Sequence, residues 1–336
     1  MALSPEQKRT FPQKDFEIRK ITGLEDRFNA AAWSTTDGAI MLLVREVKEA
    51  AEEGRPDVGP LVILKKDARM VEVRLEDYDP VADKVVWDPE GKVVLLEDPR
   101  ALLLSDGDGV VLGLTAIDQK IPYPAITYVP RDQFEEINDG QVRIIRDFGP
   151  GKNTTPLDDG TFLFRKDGDE NNHRLARFSR DENTDEVGEL KSIDFPSDLE
   201  WASWRIGTTI SPIPINDSEY LMIFHGAKKE NGVLIYSLGR AILVKNEEGK
   251  LEIIKVDSEP ILTPEDVKPF SRGELHEEKK VVYACGGIIE GDNKTSPKAL
   301  NLFVNVGDKI TVMVRLPYDT LVALDKPLMY QRKHST

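Results

Sequence analysis

The apolar residues of this chain fall in short runs separated by turn signals. AIMLLVREV, LVILKK, MVEVRLED, KVVLLED, ALLLS, VVLGLTAI, ITYVP, QVRIIRDF and TFLFRK follow one another in the first half. EYLMIFHG, VLIYSLGRAILVK, LEIIKVD, KKVVYACGGII, ALNLFVNV and KITVMVRLP continue in the second. The runs are strand-length and rich in β-branched and aromatic residues, which predicts about fifteen strands. Between them Asp37-Gly38, Asp106-Gly107, Asp108-Gly109, Asp139-Gly140, Asp159-Gly160 and Asp167-Gly168 suit hairpin turns, where glycine supplies a positive φ without steric cost.

Helical patterning is scarce. Residues 44–53, VREVKEAAEE, have helix propensity but no clean apolar stripe, which fits an insertion between strands. Strand and helix never alternate as in a doubly wound sheet. Many short antiparallel strands leave a sandwich, a barrel or a propeller. Four-stranded blades suit the strand number. Five of them would take roughly 65 residues each, against a usual repeat of about 40–50, so long loops are expected. No internal sequence repeat is visible. The proline-rich stretches at 122–124 and 211–214 read as loops, and no linker divides the chain. The expectation is a single all-β domain over 1–336, with polar, mobile arms at 1–18 and 329–336.

Composition narrows the partners. At 336 residues and 40% hydrophobic content, one substantial core is within reach. A net charge of −15 repels nucleic acid and anionic membranes, so neither is an expected partner. Cys285 is the only cysteine, so no intrachain disulfide forms. The opening MALSPEQKRTFPQKDF lacks the apolar core of a signal peptide. No run of about 18 apolar residues could span a bilayer. The chain reads as soluble and cytoplasmic, and the sequons at Asn153 and Asn293 as chance.

Against this acidic background a few charged residues stand in distinctive frames. Glu97-Asp98-Pro99-Arg100 closes an apolar run. In an extended strand neighbours face opposite ways, so Glu97 and Asp98 are not expected to form a carboxylate pair. Asp98 and Arg100 share a face unless Pro99 breaks the strand. Arginine beside Asp98 would lower its pKa, which opposes a simple general-acid role. A strand-end ion pair fits the same four residues. Lys152 lies in GPGKN, Arg165 ends TFLFR, Arg205 follows Trp201 and Trp204, and His225 follows LMIF. Arginine and lysine suit phosphate oxygens by charge and donor geometry, and each alone equally suits a solvated or ion-paired cation. There is no Walker loop, GxGxxG, GxSxG or HExxH. His173, His225, His276 and His334 are scattered, so no metal site is expected. Acidic loops at 167–170 and 181–183 could bind calcium only weakly.

Taken in order, these pieces resemble glycoside hydrolase family 130, the β-mannoside phosphorylases and their relatives. The resemblance spans roughly residues 20 to 325 and rests on short motifs. Arg27-Phe28-Asn29 and Leu42-Leu43-Val44-Arg45 look like the opening blade, and Leu96 to Arg100 matches the EDPR segment. Gly151-Lys152-Asn153 with Gly160 to Arg165 resembles the "KN…GKY…R" stretch. Trp204-Arg205-Ile206-Gly207, Ser211-Pro212-Ile213 and Phe224-His225-Gly226 follow "KIG…PPI…YHG". Tyr236, Pro260-Ile261-Leu262 and Val281 to Gly286 fit the later strands.

The resemblance implies a five-bladed β-propeller with its site at the mouth of the channel. It implies an inverting phosphorylase that cleaves β-mannosides with inorganic phosphate, its co-substrate, to give α-mannose 1-phosphate. No cofactor is implied. By position Asp98 would be the catalytic acid, delivering its proton through a sugar hydroxyl. Lys152, Arg165, Arg205 and His225 would hold phosphate. Asn29, Arg45, Arg100, Asn153, Tyr236 and Asp308 would bind sugar. Carbohydrate and phosphate are the implied partners, and relatives often assemble, so a homo-oligomer is in view. The chain departs from the pattern at Ala30, Lys152 and Arg205, and residues 303–308 replace a tyrosine-tyrosine-glycine segment. A hydrolase on the same fold and a non-catalytic carbohydrate-binding propeller are the competing readings.

Overall fold

A strand sandwiched between two neighbouring sheets buries both faces, so its sequence reads as an unbroken apolar run. That is the pattern found in the computed structural model, which describes residues 16–21, 24, 27–34, 40–46, 61–66, 84–87, 94–133, 142–168, 174–179, 187–271, 279–292, 296–323 and 327–329. After β1 (Glu17–Lys20), the first sheet holds β2 (Arg27–Ser34), β3 (Ile40–Glu46), β4 (Leu61–Lys66) and β5 (Lys84–Trp87). The second holds β6 (Val94–Leu103), β7 (Gly109–Asp118), β8 (Ile121–Pro130) and β9 (Arg143–Ile144). The third holds β10 (Gly151–Pro156), β11 (Thr161–Lys166), β12 (Arg174–Ser179) and β13 (Lys191–Asp194).

The fourth sheet is wider. Its main path runs through β14 (Arg205–Thr208), β16 (Glu219–Glu230), β17 (Val233–Lys245) and β18 (Leu251–Asp257). To these it adds β15 (Ile213–Pro214), β19 (Lys279–Lys280) and β23 (Pro327–Met329). The last sheet contains β20 (Val282–Asp292), β21 (Ser296–Val306) and β22 (Ile310–Pro317), and β1 returns to pair with β22. The helices α1 (Pro264–Val267) and α2 (Tyr318–Val322) are single turns.

The period of two sorts each strand between two interfaces. Ala31, Trp33, Met41 and Leu43 pack against Leu96, Leu112 and Leu114 of the second sheet. Their neighbours Ala30, Ala32, Ile40, Leu42 and Val44 pack against Ile288, Phe303 and Met313 of the last. In the same way Phe162 and Phe164 face the second sheet, Leu163 faces the fourth, and Leu221 and Ile223 face the last. The apolar clusters therefore lie between consecutive sheets and close from last to first, which is a propeller arrangement. Five four-stranded blades were expected. Four sheets have four strands, and the remaining one has seven, because short edge strands from distant parts of the chain join it.

Other expectations need correction. Residues 122–124 are not a loop but the start of β8. Pro122 and Pro124 pair with Ile117 and Thr115 of β7, and the Pro124 carbonyl accepts from Ile145 on the β9 side. The missing amides therefore lie toward the edge where the β9 ladder begins only at Ala125, a place where proline is tolerated. KVVLLED and ALLLS are one strand, β6, not two. The helix expected at 44–53 begins inside β3, and the rest of it lies outside the described residues. So do MVEVRLED, the turns at Asp37 and Asp139, the loop at 181–183, and His173, His276 and His334. Residues 17 and 18 of the expected N-terminal arm belong to β1. No helix among the described residues is long and apolar enough to cross a membrane.

Candidate active site

Three sheets begin with a strand that breaks register at one point. The breaks fall between Phe28 and Ala31 in β2, Glu97 and Arg100 in β6, and Lys152 and Thr155 in β10. Each bulge holds a residue in the left-handed region: Asn29 (φ 56°), Asp98 (φ 53°) and Asn153 (φ 65°). Asparagine and aspartate are the non-glycine residues that best tolerate this conformation, and a bulge re-aims the side chain beside it. This overturns the expected alternation at Glu97 and Asp98. Both carboxylates reach the same guanidinium nitrogen, Arg45 Nη1, at 3.5 Å (Glu97 Oε2) and 3.2 Å (Asp98 Oδ1).

Asp98 Oδ1 accepts from Asn29 Nδ2, from Arg45 Nη1 and, at 3.5 Å, from the Tyr283 hydroxyl. Among the described residues Oδ2 has no partner, so one oxygen is held and the other is available. Burial pushes the Asp98 carboxyl up, but Arg45, Arg100, Lys152 and the Asn29 hydrogen bond together hold it below the ordinary carboxylate range. The opposition to a simple acid role foreseen in the sequence is thus present in the geometry. Glu97 Oε1 also takes Lys152 Nζ at 2.7 Å. Asp308 sits in the turn between β21 and β22, where Gly307 and Asp308 both have positive φ. It accepts from Asn305 Nδ2 at 3.0 Å, and its charge acts on Arg45 and Tyr283. The altered 303–308 segment therefore still carries a carboxylate to this side of the site.

The basic residues gather around Arg165, whose charge acts on Lys152, Arg205 and His225. Lys152 and Arg165 are register partners on β10 and β11. Arg165 Nη2 lies 3.1 Å from Asp167 Oδ1. Arg205 lies 3.8 Å over the Trp204 ring and donates to the Tyr236 hydroxyl. Burial and then the Arg165 charge lower its pKa. His225 faces Gly207 across the β14–β16 pairing. A Cβ at Gly207 would come 2.5 Å from His225 Nε2 and 3.4 Å from Asn153 Cγ, so glycine there makes room for both. The His225 ring lies 6.0 Å from Tyr236 and 5.6 Å from Tyr283. Burial, then Arg100, Arg165 and Arg205, push the imidazole well below its ordinary value, and its Nδ1 is buried with no partner among the described residues.

Arg100 is placed differently from the sugar contact expected of it. It has no exposed surface, and it donates to the backbone carbonyls of Asp98 (2.7 Å) and Thr208 (3.2 Å). It is a strut between the second and fourth sheets, and its charge is felt at Asp98 and His225. Sequence reasoning did not single out Glu97, Tyr283 or Trp204 as site residues. Tyr283 gave no signal of its own inside an apolar run, whereas Glu97 was visible and was set aside by the alternation rule that the bulge breaks. Cys285 lies in a further bulge in β20, buried, its thiol pushed up to about 12 by burial. No group of three or more potential metal ligands occurs among the described residues.

The sequence matches no family model and no curated protein. Solved structures do match the fold. One is a β-1,2-mannobiose phosphorylase from Listeria innocua in complex with β-1,2-mannobiose, 17% identical, with a TM-score of 0.65 and 94% of each chain covered. Another comes from a description of the GH130 family of mannoside phosphorylases as containing hydrolases that target β-1,2 mannosidic linkages in Candida mannan. It is 15% identical, with a TM-score of 0.60, covering 96% of this chain and 98% of that one. A glycosyl hydrolase from Bacteroides ovatus is 15% identical, with a TM-score of 0.57 and 89% of each chain covered. The resemblance read from short motifs is therefore met by a shared architecture: in fold, this chain is a GH130-like protein.

Proposed function

We propose that the protein is an inverting glycoside phosphorylase that cleaves β-mannosides with inorganic phosphate to give α-mannose 1-phosphate. The observation that carries this reading is the gathering of Lys152, Arg165, Arg205 and His225 at one place beside the Asp98 carboxylate. Arg165 and Arg205 repel each other, and an anion set between them would relieve that repulsion. His225, packed beside them and repelled by Arg165 and Arg205, would gain from the same anion. Asp98 Oδ2 would face the sugar. In the complex Asp98, protonated, would give its proton to a sugar hydroxyl that passes its own to the glycosidic oxygen, while phosphate attacks the anomeric carbon from the opposite face. The leaving sugar departs with the proton and Asp98 is left as a carboxylate. Asn29, Arg45, Asn153, Tyr236 and Asp308 would line the sugar, with Arg100 behind them.

A hydrolase on the same fold needs a second carboxylate to activate water. The adjacent carboxylate Glu97, which shares Arg45 with Asp98, is engaged by Arg45 and Lys152, which favours the phosphate reading. The test is the reverse reaction: α-mannose 1-phosphate with mannose, glucose, N-acetylglucosamine or short mannans, following phosphate release. Acceptor-dependent release is expected, lost in Asp98→Asn, while Arg165→Ala mainly raises KM for the sugar phosphate. Wild-type turnover in Asp98→Asn would refute the assignment, and phosphate-indifferent release of mannose from β-mannosides would mark a hydrolase.

A further inference from the structure

Glu97 stands between the two halves of the site. One of its oxygens takes Lys152 Nζ at 2.7 Å, and the other shares Arg45 Nη1 with Asp98. Glu97 is buried, whereas the Lys152 side chain keeps 32% of its surface exposed, so an entering anion can reach the lysine while Glu97 cannot follow it into solvent. Lys152 therefore has two possible counter-ions, and Arg45 has two carboxylates competing for one nitrogen. A change at Lys152 must be felt at Asp98.

We propose that Glu97 is a positioning residue that couples anion binding to protonation of Asp98. This rests on the phosphorylase reading above and deepens it. In the unliganded protein Lys152 is the closer cation to Glu97, and Arg45, shared between the two carboxylates, helps hold Asp98 as a carboxylate. When phosphate draws Lys152 toward itself, Glu97 loses its closest cation and its charge falls on Arg45. The Arg45 grip on Asp98 weakens, and the field of Lys152 at Asp98 weakens with it. Opposite charge nearby favours the ionised form, and its withdrawal favours the proton. Asp98 then takes up a proton on its unpartnered Oδ2, in the complex that needs it.

The groups that act on Asp98 or that it acts on are Arg45 of β3, Arg100 of β6, Lys152 of β10, and Tyr283 and Cys285 of β20, with Glu97 of β6 and Asp308 of the β21–β22 turn acting on Arg45. Among the described residues, Lys152 is the one that both touches Glu97 and is open to an anion. Arg100 is fixed on two backbone carbonyls, and the Tyr283 phenol and Cys285 thiol are both pushed up by burial, so these three do not change charge as the anion enters.

Calorimetry of the full-length protein tests this, with sulfate as the anion because it does not itself titrate near neutrality. Binding heats measured at pH 5 in two buffers of different ionisation enthalpy report the protons taken up. The wild type is expected to take up protons with sulfate. Asp98→Asn should abolish the uptake, which separates Asp98 from His225 as the acceptor. Glu97→Gln should bind sulfate more tightly, since Lys152 is no longer shared, yet take up fewer protons. Uptake that persists in Asp98→Asn, or that is unchanged in Glu97→Gln, would overturn the coupling and leave the phosphorylase reading standing. Failure of folded wild type to bind either sulfate or phosphate would overturn both. A melting midpoint for each variant confirms that a folded protein is being compared.

Discussion

His225 shows what the basic cluster asks of a single side chain. Burial and three neighbouring arginines hold its imidazole well below the ordinary 6.5, so the folded protein keeps it neutral where the unfolded chain would protonate it. Above pH 6.5 both states carry the same charge and the group has no effect on stability. Below it the unfolded state binds the extra proton, so stability falls with pH at up to about 1.4 kcal/mol per unit until the folded-state pKa is reached. Urea unfolding in phosphate-free buffer at a series of pH values should show this decline between pH 6.5 and 4.5, and His225→Asn should flatten it. Parallel curves for the two proteins would mean that His225 is not held neutral by the fold. At this scale much of the site was legible: Asp98, Lys152, Arg165, Arg205 and His225 were marked by their frames and by the resemblance those frames support. What was not legible is direction. Asn29, Asp98 and Asn153 owe their aim to a left-handed backbone, and a lone asparagine or aspartate in an apolar run carries too little signal to announce a bulge.

Strands show the same division. LVILKK, TFLFRK, VLIYSLGRAILVK and LEIIKVD coincide with β4, β11, β17 and β18. In β11 and β17 consecutive residues are buried on both faces, and such a run is conspicuous whichever sheets cover it. Short edge strands such as β13 and β15 bury little and leave no such run. Charges within the strands were legible as residues but not as roles. Arg240, inside the longest apolar run, donates to the Asp257 carboxylate and to the carbonyls of Thr320 and Ala323. It thereby ties β17 and β18 to the end of α2. Replacing it with methionine removes the Arg240 cation from the buried Asp257 carboxylate, and breaking a buried ion pair from one side typically costs about 3–5 kcal/mol. The double variant Arg240→Met with Asp257→Leu removes the carboxylate as well and should recover much of the loss. Denaturant midpoints for both variants check this. Equal destabilisation of the two would show that the lost carbonyl contacts, rather than the ion pair, dominate.

At the scale of the whole molecule, the ring is closed by a pairing between opposite ends of the chain. Glu17, Ile18, Arg19 and Lys20 run antiparallel to Arg315, Val314, Met313 and Val312, so β1 completes a sheet whose other strands come from the C-terminal end. Sequence reading assigned the first 18 residues to a mobile arm, since a four-residue polar strand has no apolar run to reveal it and its partner lies almost the whole chain away. Phe16 and Ile18 pack against the cluster between the fourth and last sheets, and burying a large apolar side chain contributes about 1.5–3 kcal/mol. Removing residues 1–20 would expose the β22 edge and strip both side chains from that cluster. The truncated protein should therefore lose about 3–5 kcal/mol, seen as a lower denaturant midpoint. Lys152 and Arg165 of the third sheet and Arg205 and His225 of the fourth lie outside the β1–β22 pairing and would keep their local contacts, so sulfate affinity measured well below that midpoint should change little. A truncated chain as stable as the full one would show that β1 is not what holds the ring shut. A large loss of sulfate affinity in the folded truncated protein would show instead that the site depends on closure, and that the ring and the chemistry are one cooperative unit.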